Sequence, residues 1–409
     1  MKKLLALSLG ILSAIGGFVD IGDFVFNSQA GAHFGYALLW AVVVGLIGIA
    51  LYSEMCGRVA AASKRGVFDL IRERLGYGPG MVTLVAAQLV NVLTLAAEVG
   101  GVAIVLQLVF GGSSRLLAVV AVLLVGGTIW FLSFGIIERL FSYLGLCLVV
   151  FAVVALRSHP DSAAALNGLV PSVSGVHPLL FLYFMVGIIG SAMSPYEVYF
   201  YSSGAVEEGW GPGSMFENRI NAFLGFGLGA LLSVSIIVVA AEYFYPAAIT
   251  PTLLSTPALA PALDLGRVGL VVALVGILFA VGGAAVESCM AGAYNMAQFF
   301  GWPWGKYHRP RRAARFSLAW MAMLVAACLI LLTGVNPVQV TEVSVILSVV
   351  VLPLTYLPLL IVANDGAYMG RLRNGRLANV AGGAFLVVIL IVAVAALPLY
   401  VLTGGGTSG

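Results

Sequence analysis

The amino-acid sequence predicts an all-α integral membrane protein with eleven transmembrane helices, and three observations carry that reading. Of its 409 residues, 61% are hydrophobic and only 9% are charged, whereas soluble domains carry about 25% charge. Apolar runs that reach the roughly 20 residues needed to cross a bilayer recur along the whole chain. Lys and Arg fall almost entirely in alternate loops between those runs. Together these features exclude a soluble globule, a disordered chain and a nucleic-acid-binding chain, each of which needs far more charge.

The predicted spans are 5–33, 36–61, 80–110, 116–134, 140–157, 178–204, 220–245, 266–300, 315–333, 340–363 and 379–402. The first run follows Lys2 and Lys3, but no small-residue cleavage site precedes polar sequence, so it reads as a helix and not as a signal peptide. Alternating sides from the amino terminus puts seventeen of the 20 basic residues on one face, from Lys2 and Lys3 through Arg58, Lys64, Arg65 and the 306–315 loop to Arg376. Only Arg115, Arg157 and Arg267 fall on the other. Basic loops resist translocation, which predicts a multi-pass protein of the cell membrane with a cytoplasmic amino terminus and an extracytoplasmic carboxyl terminus. The Gly-rich stretch after Leu402 reads as a flexible end, and Cys56, Cys147, Cys289 and Cys328, without metal or disulfide spacing, read as packing residues.

An internal repeat organises these spans into one transmembrane domain over 1–409. Residues 15–28, IGGFVDIGDFVFNS, match 189–202, IGSAMSPYEVYFYS, at an offset of 174. Ile15 pairs with Ile189, Gly16 with Gly190, Asp20 with Ser194, Asp23 with Glu197, Phe26 with Phe200 and Ser28 with Ser202. Five spans separate the two starts, so the second copy is inverted in the membrane, as in secondary transporters built from two halves that each open with a broken helix. The halves are 5–157 and 178–363, with 379–402 an additional helix. Gly22 and Pro195 mark the expected helix breaks. Carbonyls freed there cannot face lipid, and a cation is a natural partner for them.

Ionisable groups at mid-bilayer depth are costly and usually functional. Five stand out, Asp20, Asp23, Glu98, Glu197 and Glu287, with no Lys or Arg in the middle of a span to neutralise them. Asp20 and Asp23, like Ser194 and Glu197, are three residues apart and can face one side of a helix. With the Gly17 and Ser191 carbonyls one turn earlier they predict an oxygen-lined cavity suited to a hard cation. Gln88, Asn91, Thr94 and Glu98 form a polar stripe on span three, a proton or ion path or, for Gln88 and Asn91, a hydrogen-bonded seam. Glu287, among small residues, either belongs to that path or bonds a neighbouring backbone. Glu54, Glu242 and Glu342 read as interfacial, and the four histidines as loop or helix-end residues. There is no nucleophile elbow, P-loop or H-E-x-x-H pattern, so no enzyme is implied.

The stretch DIGDFVFNSQAGAHFGYALLW at 20–40 resembles the Asp-Pro-Gly-Asn motif and the QAGAxFGYxLLW signature of the NRAMP divalent metal transporters. AEVGGVAIVLQLVFG at 97–111, PYEVYFYSS at 195–203, AGAYNMAQFF at 291–300 and LPLTYLPLLIVANDGAYMG at 352–370 extend the likeness over the whole core. The resemblance implies a LeuT-like fold with helices one and six broken, and coupled import of a divalent metal by alternating access. It also implies a cation as substrate, no resident cofactor, and a first-helix ligand at Asp20 with carbonyls near Gly17 and Ser191. The chain departs from the family at Ile21, Asp23, Ser194, Tyr196 and Glu197, where the family has Pro, Asn, Met, His and Asn, and at Leu95, which replaces one of two third-helix acids. Oxygen in place of a thioether favours hard ions such as Mg²⁺ or Mn²⁺, and Met193 should point elsewhere because one residue turns a helix by about 100°. The expected branch is similar to the NRAMP-related magnesium transporters, with proton coupling weakened. Two alternatives stay open. A wide cavity around Tyr196, Tyr199 and Tyr201 would suit a small organic solute, and binding without flux would indicate a membrane sensor. The expected partners are the cation and the lipid bilayer, with no nucleic acid; the oligomeric state is left open, with a monomer allowed.

Overall fold

The computed structural model describes residues 19–173, 177–305 and 312–406. Among them the regular elements are all helical. In chain order they are α1 (Ile21–Phe34), α2 (Leu39–Ser63), α3 (Val67–Leu75), α4 (Tyr77–Phe110), α5 (Ser114–Phe131) and α6 (Phe134–Gly145), then α7 (Val149–Arg157), α8 (Ser162–Asn167), α9 (Pro178–Ser191), α10 (Pro195–Glu207) and α11 (Met215–Ile220). The last third holds α12 (Phe226–Tyr243), α13 (Ser255–Phe300), α14 (Ala314–Leu332), α15 (Pro337–Asn364), α16 (Gly366–Met369) and α17 (Arg376–Leu402).

Ten helical stretches among the described residues are long and apolar enough to cross a membrane. They coincide with predicted spans two to eleven. Several carry interruptions: a 3₁₀ turn at Leu146–Leu148 joins α6 to α7, and a π turn at Asn221–Gly225 joins α11 to α12. The 46-residue α13 is two helices meeting at Gly266, whose φ of 60° and ψ of −146° are open to glycine and strained for other residues. The membrane part of α13 therefore begins where the apolar run at 266–300 begins. The first span, predicted at 5–33, is described only from its second half.

That half-helix and its counterpart in the sixth span start in register. Asp20 caps α1 and Ser194 stands at the cap position of α10, the same 174-residue offset seen in the sequence. In the sixth span α9 ends at Ser191, and α10 restarts at Pro195. Proline is tolerated at a helix's first position because its missing N–H would be unsatisfied there anyway. The first break does not lie at Gly22 as expected. Gly22 is the second residue of α1, and its missing side chain serves close approach: a Cβ there would lie 2.9 Å from Val345 Cγ2 and 3.0 Å from Asp20 Oδ1.

The two ends of the bundle differ as the charge count predicts. At one, Arg74 pairs with Asp365 at 2.6 Å, Arg72 Nη1 donates to the Phe299 carbonyl at 2.6 Å, Arg58 Nη1 donates to the Leu372 carbonyl at 3.0 Å, and Lys64 donates to the Trp210 carbonyl. At the other, Gln29 donates to the Pro251 carbonyl at 3.2 Å, Trp40 N–H to the Gly168 carbonyl at 2.9 Å, and Tyr36 to Glu242. Residues 403–406 are not a loose end: Thr403 is buried, its hydroxyl donates to the Leu399 carbonyl at 2.7 Å, and the Gly405 N–H donates to the Tyr400 carbonyl at 3.0 Å.

Candidate functional site

The starts of α1 and α10 meet in the interior. Asp20 Oδ1 accepts the Asp23 N–H at 2.9 Å, which caps α1, and Asp20 Oδ2 accepts the Tyr196 hydroxyl of α10 at 3.3 Å. Asp23 Oδ1 accepts from Asn27 Nδ2 and from the Ser191 hydroxyl of α9, each at 3.1 Å, while Asp23 Oδ2 has no protein partner. Both broken spans are thus tied together through two carboxylates. Glu197, in the first turn of α10, is 4% exposed with both carboxylate oxygens unpartnered, and its electrostatic neighbours are Asp20, Asp23, Glu287 and Glu98.

Ser194 donates to the Ser191 carbonyl at 3.1 Å, so that expected cation ligand is occupied by the chain itself in this conformation. The Met193 carbonyl accepts the Tyr356 hydroxyl at 3.0 Å. The Met193 side chain turns away, as expected, although it lies in the break between α9 and α10 and not on a helix: it packs on α2 where a Cβ at Gly48 would lie 2.5 Å from its Sδ. Gly17 lies outside the described residues. Among the described residues no three His, Cys, Asp or Glu side chains form a group that could hold a metal ion. The shared pocket expected of Asp20, Asp23 and Glu197 is therefore not a closed cage here. Asp20 and Asp23 are drawn back by the helix cap, Asn27 and Ser191, leaving Glu197 alone.

The polar stripe of α4 divides. Glu98 is fully buried, and its Oε1 accepts the Ile21 N–H at 3.3 Å, which supplies a partner to the frayed start of α1; its Oε2 has none. Thr94 and Ser344 share a hydrogen bond of 2.8 Å, and Gln88 donates to the Gly292 carbonyl at 2.6 Å, the seam reading for that residue. Asn91 is fully buried with neither amide atom partnered. Glu287 is half-buried on α13. Two of the three glutamates near span ends are enclosed by protein. Glu54 is largely buried within α2 and pairs with Arg58 at 2.9 Å, and Glu342 is buried inside α15.

Sequence reasoning missed Asn27, Tyr356, Ser344 and Gln29. Asn27 carries a signal in hindsight, since it stands one helical turn from Asp23. Tyr356 and Ser344 reach their partners from distant spans, and nothing local points to them. The three tyrosines weighed for an organic solute diverge: Tyr196 reaches Asp20, Tyr199 packs on Phe68 with centroids 4.6 Å apart, and Tyr201 donates to Asn218 Oδ1 at 3.0 Å.

Comparison with known proteins agrees with this architecture. The chain is 27% identical over 411 residues to the divalent metal cation transporter MntH of Deinococcus radiodurans, covering 95% of this chain and 88% of that one. It is 24% identical over 413 residues to MntH of Staphylococcus haemolyticus, covering 95% and 90%. The Eremococcus coleocola manganese transporter, solved with an aromatic bis-isothiourea compound, superposes with a TM-score of 0.75 at 22% identity, covering 96% of this chain and 86% of that one. That likeness shows the fold to be LeuT-like. Residues 10–398 match the family model described as natural resistance-associated macrophage protein-like, and the chain belongs to that Nramp family.

Proposed function

We propose that this protein carries a divalent metal cation across the cell membrane by alternating access, and that the cation is a hard one, Mg²⁺ or Mn²⁺. Its ligands are Asp20, Asp23 and Glu197, with Ser194 and the carbonyls of Ser191 and Gly17 completing an oxygen shell. The observation that carries this reading is the junction of α1 and α10: Glu197 is buried with both oxygens unpartnered beside two further carboxylates. Burying an uncompensated carboxylate costs several kcal/mol, and a cation between the half-helices offsets that cost for all three acids. Binding draws Glu197 towards Asp20 and releases the Ser191 carbonyl from Ser194. The diverging tyrosines weigh against an organic solute, and relatives named as metal cation transporters weigh against a sensor. The seventeen basic residues assign the cross-linked basic end of the bundle, with the amino terminus, to the cytoplasm.

Glu98 is the group placed to carry a proton, because it joins the start of α1 and keeps one oxygen free. Asn91, Thr94 and Glu287 extend a polar route from it. Flux into proteoliposomes tests both roles. Wild-type protein is expected to move Mn²⁺ or Mg²⁺ and Asp20→Ala to abolish it, whereas Glu98→Gln is expected to retain cation flux and lose accompanying acidification. Absence of flux for Mg²⁺, Mn²⁺ and Ca²⁺, or full flux in Asp20→Ala, overturns the metal assignment.

A further inference from the structure

The end of the bundle opposite the basic cluster holds a cavity of about 970 Å³, lined by residues of α1, α4, α9, α14, α15 and the 404–406 segment. Most of its polar lining is neutral: Gln29, Thr250, Thr252, Thr333, Asn336 and Gln339. Its histidines, His33 and His177, sit at helix ends. Among the described lining residues there is one carboxylate, Glu342, and no Lys or Arg. Glu342 is only 7% exposed and accepts a long hydrogen bond of 3.5 Å from Gln29 Nε2, which also donates to the Pro251 carbonyl at 3.2 Å. The 403–406 segment passes over the acid: a Cβ at Gly405 would stand 3.5 Å from the other carboxylate oxygen, an ordinary contact, and the φ of 67° there favours glycine. Its place near the start of a span predicts an interfacial residue. The cavity instead dips below the first turn of α15 and puts the carboxylate on its wall.

Glu342 also stands one turn from Val345 on α15. Val345 packs where a Cβ at Gly22 would lie, and that same point is 3.0 Å from Asp20 Oδ1 and 3.3 Å from Ser191 Cβ. A cation entering from the cavity therefore meets Glu342 first, then an apolar plug, then the α1–α10 junction. We propose that Glu342, steadied by Gln29, is an outer cation site at which a partly hydrated divalent ion is held before it passes Val345. A divalent ion with six waters needs roughly 200 Å³ at about 30 Å³ per water, which the cavity accommodates. Mg²⁺ and similar ions shed water reluctantly, so one carboxylate with retained waters is a chemically sufficient first station.

This inference rests on the chain being a cation carrier, and the test separates the two claims. Calorimetric titration with Mn²⁺ is expected to show two sites of unequal affinity on wild-type protein. The weaker should persist in Asp20→Ala/Glu197→Gln and vanish when Glu342→Gln is added. In proteoliposomes Glu342→Gln is expected to raise the KM for Mn²⁺ about tenfold, an effect that shrinks at high ionic strength, and Glu342→Asp to recover most of it. A single site on wild-type protein, or a weak site untouched by Glu342→Gln, overturns the outer site while leaving the junction intact. Loss of flux in wild-type protein with the weak site still dependent on Glu342 overturns the carrier reading and keeps the outer site.

Discussion

Asp20 does two jobs that the sequence could only half reveal. Its carboxylate caps α1 through the Asp23 N–H and also takes the Tyr196 hydroxyl from the other half-helix. The first job was readable in principle, since an aspartate three residues before a free N–H is a common cap. The second depends on two spans 176 residues apart meeting in space. Gly22 is the breaker the sequence suggests, but a glycine inside an apolar run lowers helix propensity without ending the helix. Tyr196 stands where the resemblance implies histidine, and its hydroxyl orients one oxygen of the Asp20 carboxylate, a ligand on the proposed function. Tyr196→Phe is therefore expected to fold normally and to bind Mn²⁺ about three- to tenfold more weakly, the net value of one ordinary hydrogen bond. Equal or tighter binding would show that the tyrosine only fills space.

At the level of helices, apolar run length was enough to place ten of the spans, because in a bilayer each run must satisfy its own backbone hydrogen bonds and therefore be helical. What run length could not give was how closely the helices approach. Gly31 of α1 faces α12 with no room for a side chain: a Cβ would lie 2.5 Å from the Ile237 carbonyl oxygen and 2.7 Å from Ala240 Cβ. Gly31→Val should push these helices apart, cost about 2 kcal/mol and lower the thermal unfolding midpoint in detergent. Gly127→Val on α5, where a Cβ meets open space, should change stability by less than about 0.5 kcal/mol. Matching midpoints for the two variants would remove the close contact of α1 and α12 from the account. The buried position of Glu342 was hidden for a related reason: depth along a helix is readable from the sequence, but the shape of the surface between helices is not.

On the scale of the whole molecule, the repeat and the charge asymmetry were the most legible features. In the structure the starts of α1 and α10 keep the 174-residue offset, and Arg58, Lys64, Arg72 and Arg74 make their contacts at one end of the bundle. Ligand convergence was less legible, because the sequence can place three acids at the right depth without fixing where their side chains rest. Asp20 and Asp23 rest on their own helix and its neighbour, and Glu197 rests on nothing. On the proposed function, an ion between the half-helices supplies the partner that Glu197 lacks. The claim that this ion is hard and oxygen-bound is tested most directly by calorimetric titration of the purified protein with Mg²⁺, Mn²⁺ and Cd²⁺, repeated on Glu197→Gln. The expected result is a tight site for Mg²⁺ or Mn²⁺ that loses at least about tenfold in affinity in the variant, with little response to Cd²⁺. Strong Cd²⁺ binding together with Mn²⁺ affinity unchanged by Glu197→Gln would contradict it.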